Sequence, residues 1–209
     1  MVNLKEKCCI ISGSPCADFP ENFDFENCFI YCADGGYRYA EKFGIKPDIL
    51  IGDFDTCPEA LESNNEIKRY KPEKDETDTM LAVLDAEKRG FKEINILAAL
   101  GGRFDHTFAN IQTLAYIFSK GMTGYILDKK NIITMQKAGR KEYPKKEGYY
   151  FSLFAYENVE NLTIKGAEYN AKNIDLKQNF PLGVSNKITD EKCIIEFKSG
   201  ILLVIFSKD

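Results

Sequence analysis

The chain is poor in the residues that several common chemistries require. It has no tryptophan and a single histidine, His106, among 209 residues. One histidine excludes multi-histidine metal centres and argues against a Ser-His-Asp hydrolase. No GxxxxGK[ST] occurs, so a P-loop is excluded, and no GxGxxG marks a dinucleotide fold. The longest strongly apolar run, Ile201 to Phe206, is far too short to span a bilayer. The N-terminal Lys5 and Lys7 precede only a brief apolar stretch before Ser12, Gly13 and Pro15, which reads as a strand and turn rather than a secretory signal. Basic excess is also missing. The net charge of −4 leaves no nucleic-acid footprint, so neither nucleic acid nor membrane is expected as a partner. The seven cysteines (Cys8, Cys9, Cys16, Cys28, Cys32, Cys57 and Cys193) are odd in number and include no CxxC pair. Several fall in apolar runs, where a thiol acts as a small hydrophobe, and together they imply a reducing, cytoplasmic setting.

The first half alternates strands with helices. Strands are expected at Cys8 to Ser12, Cys28 to Ala33, Asp48 to Ile51 and Glu93 to Leu100, with a shorter extended piece at Ile67 to Lys71. Tyr37 to Phe43 reads as a short helix ended by Gly44. Asp75 to Arg89 reads as a helix with Met80, Leu81, Val83 and Leu84 on its apolar face. A further helix follows Gly101-Gly102, with Phe108, Ile111, Ala115 and Phe118 along one side. A helical turn is expected near Pro58 to Leu61. Strand–helix alternation of this length predicts a doubly wound, mostly parallel α/β sheet with flanking helices.

Beyond Gly124 only short β-like runs remain, and Lys198-Ser199-Gly200 reads as a hairpin turn between two of them. A C-terminal antiparallel β domain is therefore expected, with the division at residues 1–130 and 131–209.

Four aspartate-bearing segments sit where strands should end or helices begin: Ala33-Asp34-Gly35-Gly36, Gly52-Asp53-Phe54-Asp55, Lys74-Asp75-Glu76-Thr77-Asp78 and Gly101-Gly102-Arg103-Phe104-Asp105. In an open α/β sheet the carboxyl ends of the strands share one edge, where ligands bind. Carboxylates gathered there repel one another unless a cation joins them, and hard oxygen ligands suit Mg²⁺. Each segment also has a plainer reading. Asp34 and Asp105 could be helix caps, Asp75 with Asp78 a capping arrangement, Lys74 a solvated charge, and His106 a surface or packed residue. The pair Asp53 and Asp55 resists that reading. On a continuing strand both would project to one side, and a turn role accounts for only one of them. Gly35 and Gly36 would bring backbone N–H groups to a phosphate at a helix N-terminus, and Arg103 could grip phosphate bidentately.

Taken in order, the four segments resemble the thiamine pyrophosphokinase (thiamine diphosphokinase) family. Gly183-Val184-Ser185-Asn186 is similar to that family's thiamine-recognition segment, so the resemblance covers nearly the whole chain. It implies an N-terminal α/β catalytic domain, a C-terminal β-sandwich, and a homodimer whose site is completed by the partner's β domain. It implies transfer of a pyrophosphoryl group from ATP to the hydroxyl of thiamine, giving AMP and thiamine diphosphate. Asp53, Asp55 and Asp78 would bind Mg²⁺ or assist the hydroxyl, with Asp75 and Asp34 close by. Asp34, Gly35, Gly36, Lys74, Thr77, Arg103 and Asp105 would hold ATP. Ser185 would hydrogen-bond the aminopyrimidine, with Asn186 beside it. Animal members stack a tryptophan on thiamine, and here Phe180 or Ile188 would have to serve instead. Two rival readings are a Mg²⁺-dependent phosphohydrolase or nucleotidyltransferase, and a non-catalytic nucleotide- or metal-binding module.

Overall fold

The computed structural model describes residues 7–15, 18–71, 73 and 75–209, so Lys5, Lys74 and Cys16 of the sequence reading lie outside the described residues. The chain divides into two compact units, Met1–Lys129 and Lys130–Asp209.

In the first unit, six strands are β1 (Lys7–Ile11), β2 (Cys28–Ala33), β3 (Ile49–Gly52), β4 (Glu66–Arg69), β5 (Glu93–Leu97) and β6 (Thr123–Leu127). All pair in parallel, in the order β6-β5-β1-β2-β3-β4. Near-continuous burial of β1, β2, β3 and β5 is what a sheet covered on both faces demands. Cys9, Cys28, Cys32 and Cys57 are core filler in this unit, and burial pushes the Cys57 thiol up to about 11. The helices are α1 (Gly36–Phe43), α2 (Asp78–Lys88) and α3 (Phe104–Ser119), with a 3₁₀ turn at Pro58–Glu62. Gly44 ends α1 in the left-handed conformation, φ 65°, its N–H bonded to the carbonyls of Ala40 and Glu41.

Two helices differ in detail from the sequence reading. α2 begins at Asp78, not Asp75, because Thr77 is its N-cap and accepts from the Met80 N–H at 3.2 Å. Asp75 and Asp78 therefore form no capping pair, and the buried residues are Thr79, Leu81, Ala82, Val83 and Ala86, so Leu81 and Val83 lie where expected whereas Met80 and Leu84 are only partly buried. In α3 the buried residues are Asn110, Thr113, Leu114 and Ile117, whereas Phe108 is 53% exposed. Strand β5 stops at Leu97, short of the expected Leu100, because Ala98 turns to φ 53°.

The second unit is antiparallel, in agreement with the expected α/β-plus-β class. Its strands are β7 (Asn131–Pro144), β8 (Tyr150–Lys165), β9 (Ala171–Leu176), β10 (Gly183–Asn186) and β11 (Lys192–Ser207). β11 lies between β7 and β8, while β9 and β10 pair with different halves of β8. No hairpin forms at Lys198-Ser199-Gly200. The chain continues as one long strand with register shifts there, and Gly200 at φ 96° bends it so closely that a Cβ would lie 2.1 Å from the Asn158 carbonyl. The bent halves share one apolar cluster, in which Val159, Leu162 and Ile195 meet Phe151, Leu153 and Val204.

Candidate active site

The strand order reverses between β1 and β5, since β2, β3 and β4 lie on one side of β1 and β5 and β6 on the other. An open parallel sheet leaves a crevice at such a reversal, outside the carboxyl ends of the strands. A cavity of about 320 Å³ occupies that position, bordered by Ser12–Pro15 after β1, Asp34-Gly35 after β2, Ala98-Ala99 after β5, and the first turns of α2 and α3. Backbone and hydroxyl bonds hold its walls together. Ser14 donates from N–H to the Ala98 carbonyl (2.9 Å) and from Oγ to the Leu100 carbonyl (2.5 Å), and accepts at its own carbonyl from the Tyr39 hydroxyl (2.5 Å). The buried hydroxyls of Ser12 and Thr79 meet at 2.8 Å and join β1 to the start of α2.

The carboxylates cluster at one end of this crevice. Oxygens of Asp34, Asp53 and Asp55 all lie within 4.8 Å of one another. Asp34 does not cap α1, because Gly35 occupies the N-cap position. The residue is only 9% exposed, and Oδ1 is buried with no hydrogen-bond partner among the described residues. An unpartnered buried carboxylate oxygen beside two more carboxylates is a costly arrangement without a cation. The set offers only hard oxygen donors, which fits a divalent ion such as Mg²⁺. The route by which Asp53 and Asp55 meet differs from the expected one. The strand does not continue past Gly52. Phe54 instead takes φ 63° and buries its ring to 2% exposure, leaving the flanking aspartates outside, with the Asp55 N–H donating to Asp53 Oδ1 at 3.2 Å. Asp34, Phe54 and Ala98 all hold left-handed backbone at strand ends around the cavity, and strain of this kind concentrates at functional sites.

Asp78, the first residue of α2, borders the same cluster. A Cβ placed on Gly52 would lie 3.1 Å from Asp78 Oδ1 and 3.2 Å from the Asp34 Cβ. Asp75 is exposed in the segment ahead of α2. Arg103 and Asp105 form an exposed bidentate pair at the start of α3, at 3.1 and 2.5 Å. The Arg103 guanidinium holds the Asp105 carboxyl below its usual range. Asp105 is inside the first turn and is not the N-cap, a position taken by Arg103.

Residues 23–126 match the family model described as "Thiamin pyrophosphokinase, catalytic domain", and residues 130–202 match "Thiamin pyrophosphokinase, vitamin B1 binding domain". The thiamine pyrophosphokinase of Bacillus subtilis (strain 168) is 30% identical over 209 residues, spanning 96% of this chain and 98% of its own. The chain belongs to the thiamine pyrophosphokinase family. A crystal structure of the enzyme from Bacillus subtilis superposes with a TM-score of 0.89 at 28% identity, over 97% of this chain and 99% of that one. A structure of the family protein from Enterococcus faecalis gives 0.87 at 27% identity, over 97% and 99%. The chain is thus a thiamine diphosphokinase by family, and the reading as a non-catalytic module falls away.

Sequence reasoning missed several cavity residues of the chain. The loop Ser12-Gly13-Ser14 carries no charge, so a search for carboxylates passed over it, although a glycine directly after a first strand is itself a signal. His106, read as surface or packed, lines the cavity. Asn110 is buried and donates from Nδ2 to the Ala99 carbonyl at 2.8 Å. In the second unit, Ser185 is exposed at φ 59°, and its N–H donates to Ser152 Oγ at 3.0 Å. The Asn186 amide is engaged with the Tyr169 backbone at both ends, accepting at 3.0 Å and donating at 2.8 Å, so it shapes the segment. Ile188 belongs to the apolar core, whereas Phe180 is 63% exposed.

Proposed function

We propose that the chain transfers the pyrophosphoryl group of ATP to the hydroxyl of thiamine, with residues 1–130 holding ATP and Mg²⁺ and residues 131–209 holding thiamine. The observation that carries this reading is the buried, unpartnered Oδ1 of Asp34 beside Asp53 and Asp55 at the reversal of the sheet. Asp34, Asp53, Asp55 and Asp78 would hold the metal, and Asp75 would lie at the rim. When bound, Mg²⁺ supplies positive charge that offsets charge building on the phosphate oxygens. The N–H groups of Gly35 and Gly36 at the start of α1, the Thr77 hydroxyl, Lys74, and the Arg103–Asp105 pair would orient the polyphosphate.

In the reaction the thiamine oxygen attacks the β-phosphorus and an O–P bond forms there. The bond from that phosphorus to the oxygen bridging the α-phosphate breaks, and its electron pair leaves with AMP. The hydroxyl proton passes to a carboxylate of the cluster, which acts as general base. No covalent intermediate on the protein is needed, in keeping with a site of carboxylates, backbone amides and one arginine. The homodimer, completed by the partner's β domain, and a cytoplasmic setting belong to the same reading. The structure has no helix among the described residues long and apolar enough to cross a membrane.

Incubation with ATP, Mg²⁺ and thiamine, with products identified by mass, tests the reaction. AMP with thiamine diphosphate is expected. ADP with thiamine monophosphate, or hydrolysis without transfer, would overturn it in favour of the phosphohydrolase or nucleotidyltransferase reading. Ser185→Ala should raise the KM for thiamine more than that for ATP, since its exposed hydroxyl is assigned to the aminopyrimidine; equal effects would remove that role. Phe180, not the core residue Ile188, is the side chain open to stack on thiamine.

A further inference from the structure

We infer that Asp85, remote from the reacting groups, is a positioning residue that sets the spacing between Asp34 and Asp78 by keying α2 to the strands that carry the other carboxylates. The inference rests on the reading of Asp34 and Asp78 as metal-site residues.

Asp85 collects three donors from separate places. The hydroxyl of Tyr31, a fully buried residue of β2, donates to its Oδ2 at 2.9 Å. Lys68 of β4 donates to its Oδ1. Arg89 donates to Oδ2 at 2.8 Å from one helical turn beyond. Burial alone would push the Asp85 carboxyl up, but the bonds from Lys68, Arg89 and Tyr31 outweigh it and hold the group below its ordinary value.

The spacing of these ties is what points to the site. Asp78 and Asp85 are seven residues apart on α2, which is nearly two full turns and about 10.5 Å along one face. Tyr31 lies in β2 and Asp34 directly follows its last residue, three positions on, or about 10 Å. Helix α2 runs back along the sheet, so Tyr31–Asp85 and Asp34–Asp78 form two rungs of matching separation, one within β2 and one just past its end, against the same helix. The second rung closes around Gly52, against which both Asp34 and Asp78 lie. Lys68 pairs in register with Ile51, next to Gly52 and the Asp53–Asp55 turn, so the same carboxylate also refers α2 to that segment. A helix free to slide or roll would move Asp78 away from Asp34. The hydroxyl contact of Thr79 with Ser12 ties the near end, and Asp85 ties the far end.

The test compares Asp85→Asn, Lys68→Met and Tyr31→Phe with Asp78→Asn as control, each assayed for turnover across a Mg²⁺ titration and for melting temperature. Groups that orient metal ligands typically alter affinity or activity about 10- to 100-fold. Asp85→Asn is expected to raise the Mg²⁺ concentration for half-maximal rate by about that factor. Saturating Mg²⁺ should restore most of the rate, and the thiamine KM should change little. Tyr31→Phe, which loses one hydroxyl and keeps the charges, should shift in the same direction by less and decides the matter if Asp85→Asn fails to fold. Combining Tyr31→Phe with Asp85→Asn should be no worse than Asp85→Asn alone, as members of one network are not additive. Lower melting temperatures with an unchanged Mg²⁺ dependence would make Asp85 a stabilising residue only and overturn the inference. If Asp78→Asn itself leaves the Mg²⁺ dependence unchanged, the metal-site reading fails and this inference falls with it.

Discussion

Asp34→Asn should abolish turnover by at least about 100-fold, the upper range seen when mere supports of a metal ligand are lost, while the metal-free protein melts at the same temperature or higher. Asp34 is nine-tenths buried, has a carboxylate oxygen without a partner among the described residues, and lies beside Asp53 and Asp55. Replacing it with the neutral isostere removes repulsion and an unsolvated charge. Binding to the folded state alone stabilises by about 2.7 kcal/mol at a hundredfold excess over Kd. For a chain of this size that is about 5–10 °C. Mg²⁺ should therefore raise the melting temperature of the parent protein and not that of Asp34→Asn. Asp53→Asn should behave alike in turnover. Retained activity, or a Mg²⁺-dependent melting temperature in Asp34→Asn, would remove Asp34 from the site.

Gly36→Ala should damage the fold itself. A Cβ at this first residue of α1 would lie 1.9 Å from the Ile11 carbonyl oxygen and 2.8 Å from its carbon. Both are backbone atoms of the central strand, so no side chain can move aside. Overpacking ordinarily destabilises by about 1–3 kcal/mol, and a backbone overlap this deep belongs at or above the top of that range. The melting temperature should fall by about 6–12 °C, with activity lost in proportion to the misplacement of Asp34-Gly35. A variant that melts normally would mean that α1 has room to lift from β1.

What the sequence conveyed well was whatever depends on local pattern. Apolar runs located the strands, glycine and lysine marked helix ends, and the glycine–aspartate segments fell at strand termini. The failures share one cause, which is that packing partners are not written locally. In α2 the buried face holds the expected Leu81 and Val83 but is completed by Thr79, Ala82 and Ala86, because a helix seated close to strands takes small side chains there, and a pattern of large apolar residues does not mark them. In α3 the buried Asn110 is invisible to a hydrophobic pattern because its value lies in a bond to the Ala99 carbonyl. Asp53 and Asp55 were paired on the premise of a continuing strand, yet they meet through a left-handed Phe54 that no propensity would suggest. The short polar strands β9 and β10 depend on β8 for their pairing and carry little signal of their own.

The reversal of strand order also governs when the crevice can exist. Its one wall follows β1 and β2, which are near neighbours in the chain, whereas the opposite wall follows β5, whose register partner in β1 lies about four times farther away along the sequence. Each doubling of a closed loop adds about 0.6 kcal/mol of entropy to be overcome, so joining β5 to β1 carries about 1.2 kcal/mol more than joining β2 to β1. Long-range parallel pairing is also slow. During synthesis the acidic half of the crevice can assemble while the chain beyond α2 is still being made, and the cavity closes only once β5 has docked.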